Sequence, residues 1–463
     1  SAASDVYKRQ ILKILIFTVP VCIIILGCRQ TVFMRKLFNF RRDFKRVKHK
    51  MKQKNLNETN SALLGYNGRK PIYSPDNAKH IFICGTTGSG KTVALSNYMR
   101  NCMKKDFPML IIDGKGDTGK GSILDILTQL NKHYRKKIYC INLTNPSLSD
   151  TYNPFYNTSP TVAKDMLVNM TDWSEEHYKV NAERYLQRLI SLMNKAEIPL
   201  SFQSIVKFME LDHFTLLSTQ LVKGKQISKE NHLENLEIAK TSGKVAENSI
   251  ARFSTIAESE LGEIFSDTGI DIATALKEKA IILFILNPLI YPELSPAFGR
   301  LVLIDSKKAI SQRFQNQKRT FFLFDEINVY ASKTLIDLVN KSRSANVTCV
   351  LATQSLSDLA SAEDEDFTQQ IIENCNNYLV LRQNSAVNSE NWANILGTRQ
   401  TMEVTYQLQQ KGLDTTQTGF GSARRVREYL YHPDEIKQLQ TGNGIFLSRD
   451  EYFHSKLRIY KPF

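Results

Sequence analysis

Short apolar runs alternate along most of the chain with stretches in which apolar residues recur at helical spacing. The runs are IFIC at 81–84, MLII at 109–112, AIILFIL at 280–286, FFLF at 321–324 and VTCVLA at 347–352. Uninterrupted runs of this length suit strands buried on both faces, as in a parallel sheet covered by helices. The pattern predicts an α/β fold with a mainly parallel sheet. Strand 319–326, a helix from about Ala331 to Ser342 and strand 347–353 read as one right-handed crossover.

Between the second and third runs the periodicity changes. Leu186, Leu189, Ile190 and Leu192 recur at helical spacing, Pro199 and Ser201 interrupt, and FQSIVKFMELD and HFTLLSTQLVKG resume the helical pattern. This predicts an inserted all-α domain over 161–235, with Gly224–Lys240 the one stretch of linker composition. A helical pattern returns from Gly243 toward the strand at 280–286.

The first 54 residues differ again. Residues 14–28 carry no charge, and Ile11 and Leu12 extend the apolar run past Lys13. The run approaches the roughly 20 residues that span a bilayer. Residues 29–54 hold 11 Lys/Arg against one Asp, an excess that marks the following side as cytoplasmic. A transmembrane anchor with a basic juxtamembrane segment is expected over 1–54. A signal peptide, a lipoprotein box at Ile25–Cys28 and a buried helix are the alternatives. The first residue is Ser1, so a further membrane segment upstream is compatible with the pattern.

Charge refines this picture. The whole chain carries 61 Lys+Arg against 46 Asp+Glu, a net +15, of which +12 sits in residues 1–54 and +3 in residues 55–463. The body is therefore near neutral, and the overall basicity does not by itself indicate a nucleic-acid-binding surface. The seven cysteines form no CxxC pair and have no histidines at metal spacing. Cys84, Cys140 and Cys349 fall in strand-like apolar runs, which points to a reducing compartment without structural zinc.

The strongest chemical signal follows the first run. Gly85, Thr86, Thr87, Gly88, Ser89, Gly90, Lys91 and Thr92 match GxxxxGK[ST] between a strand and a helical pattern. The glycines let backbone N–H groups wrap phosphates, Lys91 is expected on the β- and γ-phosphates, and the Thr92 hydroxyl on Mg²⁺. The site calls for ATP and Mg²⁺. Asp325 and Glu326 end the run FFLF; Asp325 suits the metal through water, and Glu326 suits polarisation of an attacking water. Gln354 ends the 347–353 strand, where a γ-phosphate sensor belongs. Arg343, just before that strand, reads either as an arginine finger for a neighbouring subunit or as a cation favouring a helix C-terminus. The strand end Asp113-Gly114-Lys115-Gly116-Asp117 reads either as part of a ligand crevice or as a solvated turn.

Taken together, GTTGSGKT, IIDGKGD, YNPF (Tyr152–Phe155), FFLFDE, SRSANVTCVLATQS and NILGTRQT (Asn394–Thr401) resemble the type IV coupling proteins, the TraD/TraG-type membrane ATPases. The resemblance runs from about Asn77 to the C-terminus. It implies a RecA-like P-loop NTPase core over 55–160 and 236–463, interrupted by the all-α insert. It also implies a hexameric, DNA-translocating ATPase at the bacterial inner membrane, its ATPase domain cytoplasmic. Such an enzyme couples hydrolysis to sequence-nonspecific movement of relaxase-bound DNA into a type IV secretion channel during conjugation. Lys91, Glu326, Gln354 and Arg343 correspond to its catalytic positions, and Thr92 and Asp325 to its metal positions. One membrane segment is legible where the family usually has two. Secretion of protein substrates, or a nucleotide-gated adaptor that recruits them, is the alternative function.

Two clusters bear on DNA contact. Trp173, His177, Tyr178, Arg184 and Tyr185 read either as a base-stacking platform or as core residues. Arg424, Arg425 and Arg427 read as a solvated strand face or as phosphate contacts, and Trp392 reads as core.

Overall fold

The computed structural model describes residues 56–463 apart from 78, 171–172, 174, 312–318 and 412–413. The membrane anchor and basic segment expected over 1–54 lie outside the described residues. No helix among the described residues is long and apolar enough to cross a membrane.

The strands are β1 (Ser61–Asn67), β2 (Lys70–Pro75), β3 (Ile81–Cys84), β4 (Met109–Asp113), β5 (Ile138–Asn142), β6 (Ile281–Ile285) and β7 (Thr320–Asp325). They continue with β8 (Val347–Thr353), β9 (Asn377–Val380), β10 (Thr398–Lys411), β11 (Asp414–Tyr429), β12 (Asn443–Ser448) and β13 (Phe453–Ile459). One sheet has the order β2-β1-β13-β12-β9-β3-β8-β7-β4-β6-β5. From β9 to β5 every neighbour is parallel. On the other side β12 runs antiparallel to β9, and β1 antiparallel to β13 and β2. The predicted parallel strands are buried along their length because helices cover both faces. Cys84 and Cys349 are buried there, whereas Cys140, on the edge strand β5, is only half-buried.

Register decides what meets at the C-terminal edge. Cys84 pairs with Thr353, Phe324 with Leu351, and Asp113 with Asp325. The loops leaving β3, β8, β7 and β4 therefore open on one side, where ligands bind in such sheets.

The insert comprises helices Pro160–Met170, Glu176–Lys195, Phe202–Met209, Leu211–Lys223 and Lys229–Ala257. The last of these crosses the expected boundary at 235 and replaces most of the linker expected over Gly224–Lys240. Ser228 caps it, its hydroxyl accepting from the Asn231 N–H. Asn235, Ile238 and Ala239 bury one face, and Asn235 donates to Ser218 in the Leu211–Lys223 helix (3.1 Å). Only the opposite face carries the polar composition that suggests a linker.

A buried charge cluster fastens the insert to the sheet. Tyr152 bridges both Phe265 and Ile270, the returning chain, and its hydroxyl donates to Asp305 (2.7 Å). Lys308 lies 2.8 Å from Asp305 and 3.7 Å from Asp271, and donates to the Pro154 and Tyr156 carbonyls. At Gly269 a Cβ would stand 2.4 Å from the Tyr152 carbonyl carbon, so the two crossing segments touch backbone to backbone. The YNPF motif is thus a packed junction.

The aromatic-basic cluster does not assemble into a platform. Tyr185 is buried and donates to the Met209 carbonyl. Trp173 donates to the Val168 carbonyl and packs on the core, and His177 and Arg184 are exposed. Trp392 is buried against Phe82 and Tyr378. β10 and β11 form a separate antiparallel ribbon, on whose exposed face Arg424 pairs with Glu403 (3.0 Å).

Burial raises the Asp305 carboxyl to about 6 against the pull of Lys308. Lys308→Met would strand that acid, and the expected loss is roughly 3–5 kcal/mol. The double variant Lys308→Met/Asp305→Leu should lose less than the single one. Urea unfolding midpoints of the two variants check this.

Candidate nucleotide site

The loop after β3 has the backbone of a phosphate cradle. Gly88 and Gly90 have φ of 74° and 115°, the left-handed region in which a side chain is strained. At Gly85 a Cβ would lie 2.5 Å from the Leu381 Cβ, so only glycine lets the loop leave β3 beside the chain that follows β9. Helix Lys91–Lys105 then starts with Gly90 at its cap and no side-chain cap. Its first N–H groups remain free for an anion, where the helix dipole favours one. Tertiary bonds hold the loop: Thr86 N–H to Arg382 O (3.0 Å), Gly85 N–H to Thr353 O (3.2 Å) and Gly442 N–H to Ser89 O (2.9 Å).

Lys91 is buried. Its ammonium donates to the Gly85 carbonyl at 2.8 Å and lies 3.4 Å from Glu326 Oε1. Gln354 donates to the same Glu326 oxygen at 3.2 Å and accepts from the Thr87 hydroxyl at 3.1 Å. A continuous polar chain thus runs from the glycine-rich loop through Gln354 to Glu326 and back to Lys91. Glu326 itself sits in the left-handed region, φ 46°. For a non-glycine residue this costs of order 1–3 kcal/mol and persists only where the surroundings enforce it.

Asp325 is also buried, directly beside Asp113 in the register. Burial raises the Asp325 carboxyl, and the charges of Asp113 and Glu326 raise it further against the pull of Lys91. Burial likewise raises Asp113, opposed by the Lys115 and Gly116 N–H groups. Asp325 Oδ1 and Glu326 Oε2 have no hydrogen-bond partner. Unpaired buried carboxylate oxygens are costly, and here they border a cavity of about 540 Å³ that Lys91, Thr92 and Gln354 also line. Two unpaired acidic oxygens facing a lysine and a hydroxyl form a donor set that fits a hydrated Mg²⁺ carrying phosphates, since such ions take one or two protein oxygens and keep their waters.

Most of the residues singled out in the sequence converge on this cavity. Arg343 does not. It is exposed in the turn before β8, at the N-terminal edge of the sheet. At about 3.3 Å per residue, β8 holds it roughly 20 Å from the glycine-rich loop of its own chain. The strand end Asp113–Asp117 belongs to the crevice, with Gly114 and Lys115 on the wall. Asn328, Leu289 and Thr441 also line the cavity without any motif to announce them. Asn328 follows the acidic pair on a short 3₁₀ turn, and Thr441 arrives from the antiparallel end of the sheet.

The chain resembles several solved structures. The bacterial conjugative coupling protein TrwBdeltaN70, in its unbound monoclinic form, matches at a TM-score of 0.63 and 16% identity, over 90% of this chain and 92% of that one. TrwB in complex with ADP and Mg²⁺ matches at 0.60 and 16%, over 87% and 89%. VirB4 of Thermoanaerobacter pseudethanolicus matches at 0.57 and 11%, over 88% and 97%. At these identities the likeness establishes the fold. No curated protein sequence matches the chain. The model of the type IV secretion-system coupling protein DNA-binding domain matches residues 68–120 and 156–459, and with more than half of its length covered, the chain belongs to the type IV secretion-system coupling protein family.

Proposed function

We propose that this protein is an ATP-driven, sequence-nonspecific DNA translocase of type IV secretion. In this reading residues 1–54 anchor it in the bacterial inner membrane, the ATPase domain faces the cytoplasm, and the subunits form a hexameric ring. The ring moves relaxase-bound DNA toward the channel proteins during conjugation. The observation that carries the reading is the convergence of Lys91, Thr92, Asp325, Glu326 and Gln354 on one cavity, in a chain of the coupling protein family. The complexes of TrwB with ADP and Mg²⁺ and with a non-hydrolysable ATP analogue support the choice of ligand.

The geometry gives each side chain a task. Lys91, which contacts Gly85 O and Glu326, would reach the β- and γ-phosphates of a bound nucleotide. Thr92 and, through water, Asp325 would hold Mg²⁺, which would supply neutralising charge on the phosphates. Glu326, with one carboxylate oxygen unpaired, accepts the proton of the attacking water. Gln354 links Glu326 to Thr87, so a change at the γ-phosphate position reaches the base through one side chain. Arg343, exposed and remote from its own cavity, serves as an arginine finger in the cavity of a neighbouring subunit.

ATP hydrolysis by the full chain across protein concentration, with and without single- and double-stranded DNA, tests the reading. Turnover should rise cooperatively with concentration and with DNA. Glu326→Gln should lower kcat by about 10²-fold or more while nucleotide still binds, and Lys91→Ala should abolish binding. Near-wild-type turnover in Glu326→Gln would remove the site assignment, and DNA-independent turnover in an assembled ring would favour protein cargo.

Arg343→Ala should lower turnover by about 10³-fold. Mixing it with Glu326→Gln should recover part of the activity at interfaces that hold one intact copy of each. Absence of recovery would remove the role in trans.

The raised carboxyls carry a pH signature. The folded chain keeps protons on Asp325 and Asp113 that the unfolded chain releases near pH 4. Nucleotide-free protein should therefore lose stability as pH rises above that range. In a thermal-melting series, Asp325→Asn should flatten the slope.

A further inference from the structure

Of the residues that line the nucleotide cavity, two are cationic, Lys91 and Lys115. Lys91 is buried on the glycine-rich loop. Lys115 comes from the far wall, after β4, on the other side of the Asp325–Glu326 strand end. We infer that Lys115 is a second phosphate-directed cation, which meets the γ-phosphate of a bound triphosphate from the side opposite Lys91. This inference rests on the nucleotide reading of the cavity given above.

The backbone around Lys115 is built to hold it there. Gly114 donates to the Asp325 carbonyl at 3.3 Å, and a Cβ on Gly114 would stand 2.9 Å from the carbonyl oxygens of both Asp325 and Glu326. The loop is pressed onto the acidic strand end so closely that only glycine fits. Gly116, with φ 75°, lies against β6, where a Cβ would stand 2.2 Å from the Leu286 oxygen. The Thr144 hydroxyl donates to the Gly116 carbonyl (2.9 Å). Between these glycines the Lys115 N–H donates to Asp113 Oδ1 (2.9 Å). The loop is thus fixed against β7 on one side and β6 on the other.

The ammonium itself is free to move. It pairs with Asp117 at 3.1 Å, and its side chain is 58% exposed. An exposed pair of this kind contributes little, so exchange for a phosphate oxygen costs little. Charge adds the demand. Asp113, Asp325 and Glu326 end adjacent parts of the site, and Lys91 is the buried cation among them. The terminal phosphate of a triphosphate carries further negative charge toward those acids. A flexible lysine on the acidic side supplies the compensating charge where a diphosphate has no group to meet it.

The test compares affinities for MgADP and for a non-hydrolysable MgATP analogue in wild type, Lys115→Met and Lys115→Arg of the full chain. Lys115→Met should weaken the analogue by about tenfold or more, the range of a charged hydrogen bond. It should leave ADP affinity within about twofold, and kcat should fall in parallel. Lys115→Arg should restore part of the preference for the analogue. Equal losses for both nucleotides would show a structural role of the loop and overturn the inference, as would an unchanged preference. If wild type binds the analogue and Lys115→Met does so equally, this inference alone falls. If wild type binds neither nucleotide, the reading of the cavity falls with it.

Discussion

Three buried acids, Asp113, Asp325 and Glu326, end neighbouring strands, and Lys91 is the buried cation set against them. Most other features of the site answer to that imbalance. Burial and mutual repulsion raise the two aspartates, Glu326 shares one oxygen between Lys91 and Gln354, and its backbone is held in the left-handed region to do so. The arrangement concentrates unfavourable electrostatics, which a bound cation would relieve. In the reading proposed above, affinity for a metal-bound ligand would come partly from discomfort already present in the protein.

The parallel half of the fold was legible because its strands are buried on both faces and so read as unbroken apolar runs. The antiparallel half was not. β2 (KPIYSP), at the edge of the sheet, and β13 (FHSKLRI), two strands in, mix buried with exposed positions, and their short polar-interrupted patterns resemble loops. The first half of the helix Lys229–Ala257 was hidden for a related reason, whereas its second half was read from Gly243 onward. Before Lys240 its buried positions, Asn235, Ile238 and Ala239, include a polar residue and a small one, and a hydropathy pattern undervalues both.

In the site, residues that act through backbone geometry were readable, since GxxxxGKT encodes its own loop. Side chains that meet only through strand order were not. Thr441 and Asn328 reach the cavity because β12 lies near β3 and because a 3₁₀ turn follows β7. Arg343, read as a cation for a neighbouring subunit or for a helix end, stands before β8 at the edge of the sheet opposite its own cavity. The tie between the strand after β4 and the acidic pair depends on parallel register, which no local pattern specifies.

The bond from Gly442 to Ser89 O has a consequence for how the molecule is made. The glycine-rich loop is synthesised long before its neighbours, the Thr353, Arg382 and Gly442 backbones, and the Ile459 N–H in turn closes on the Gly442 carbonyl. A nascent chain therefore carries its phosphate loop without these walls until Gly442 and Ile459 have left the ribosome. Contacts so distant in sequence form slowly, and a ribosome that stops early releases a chain in which this cradle has never closed.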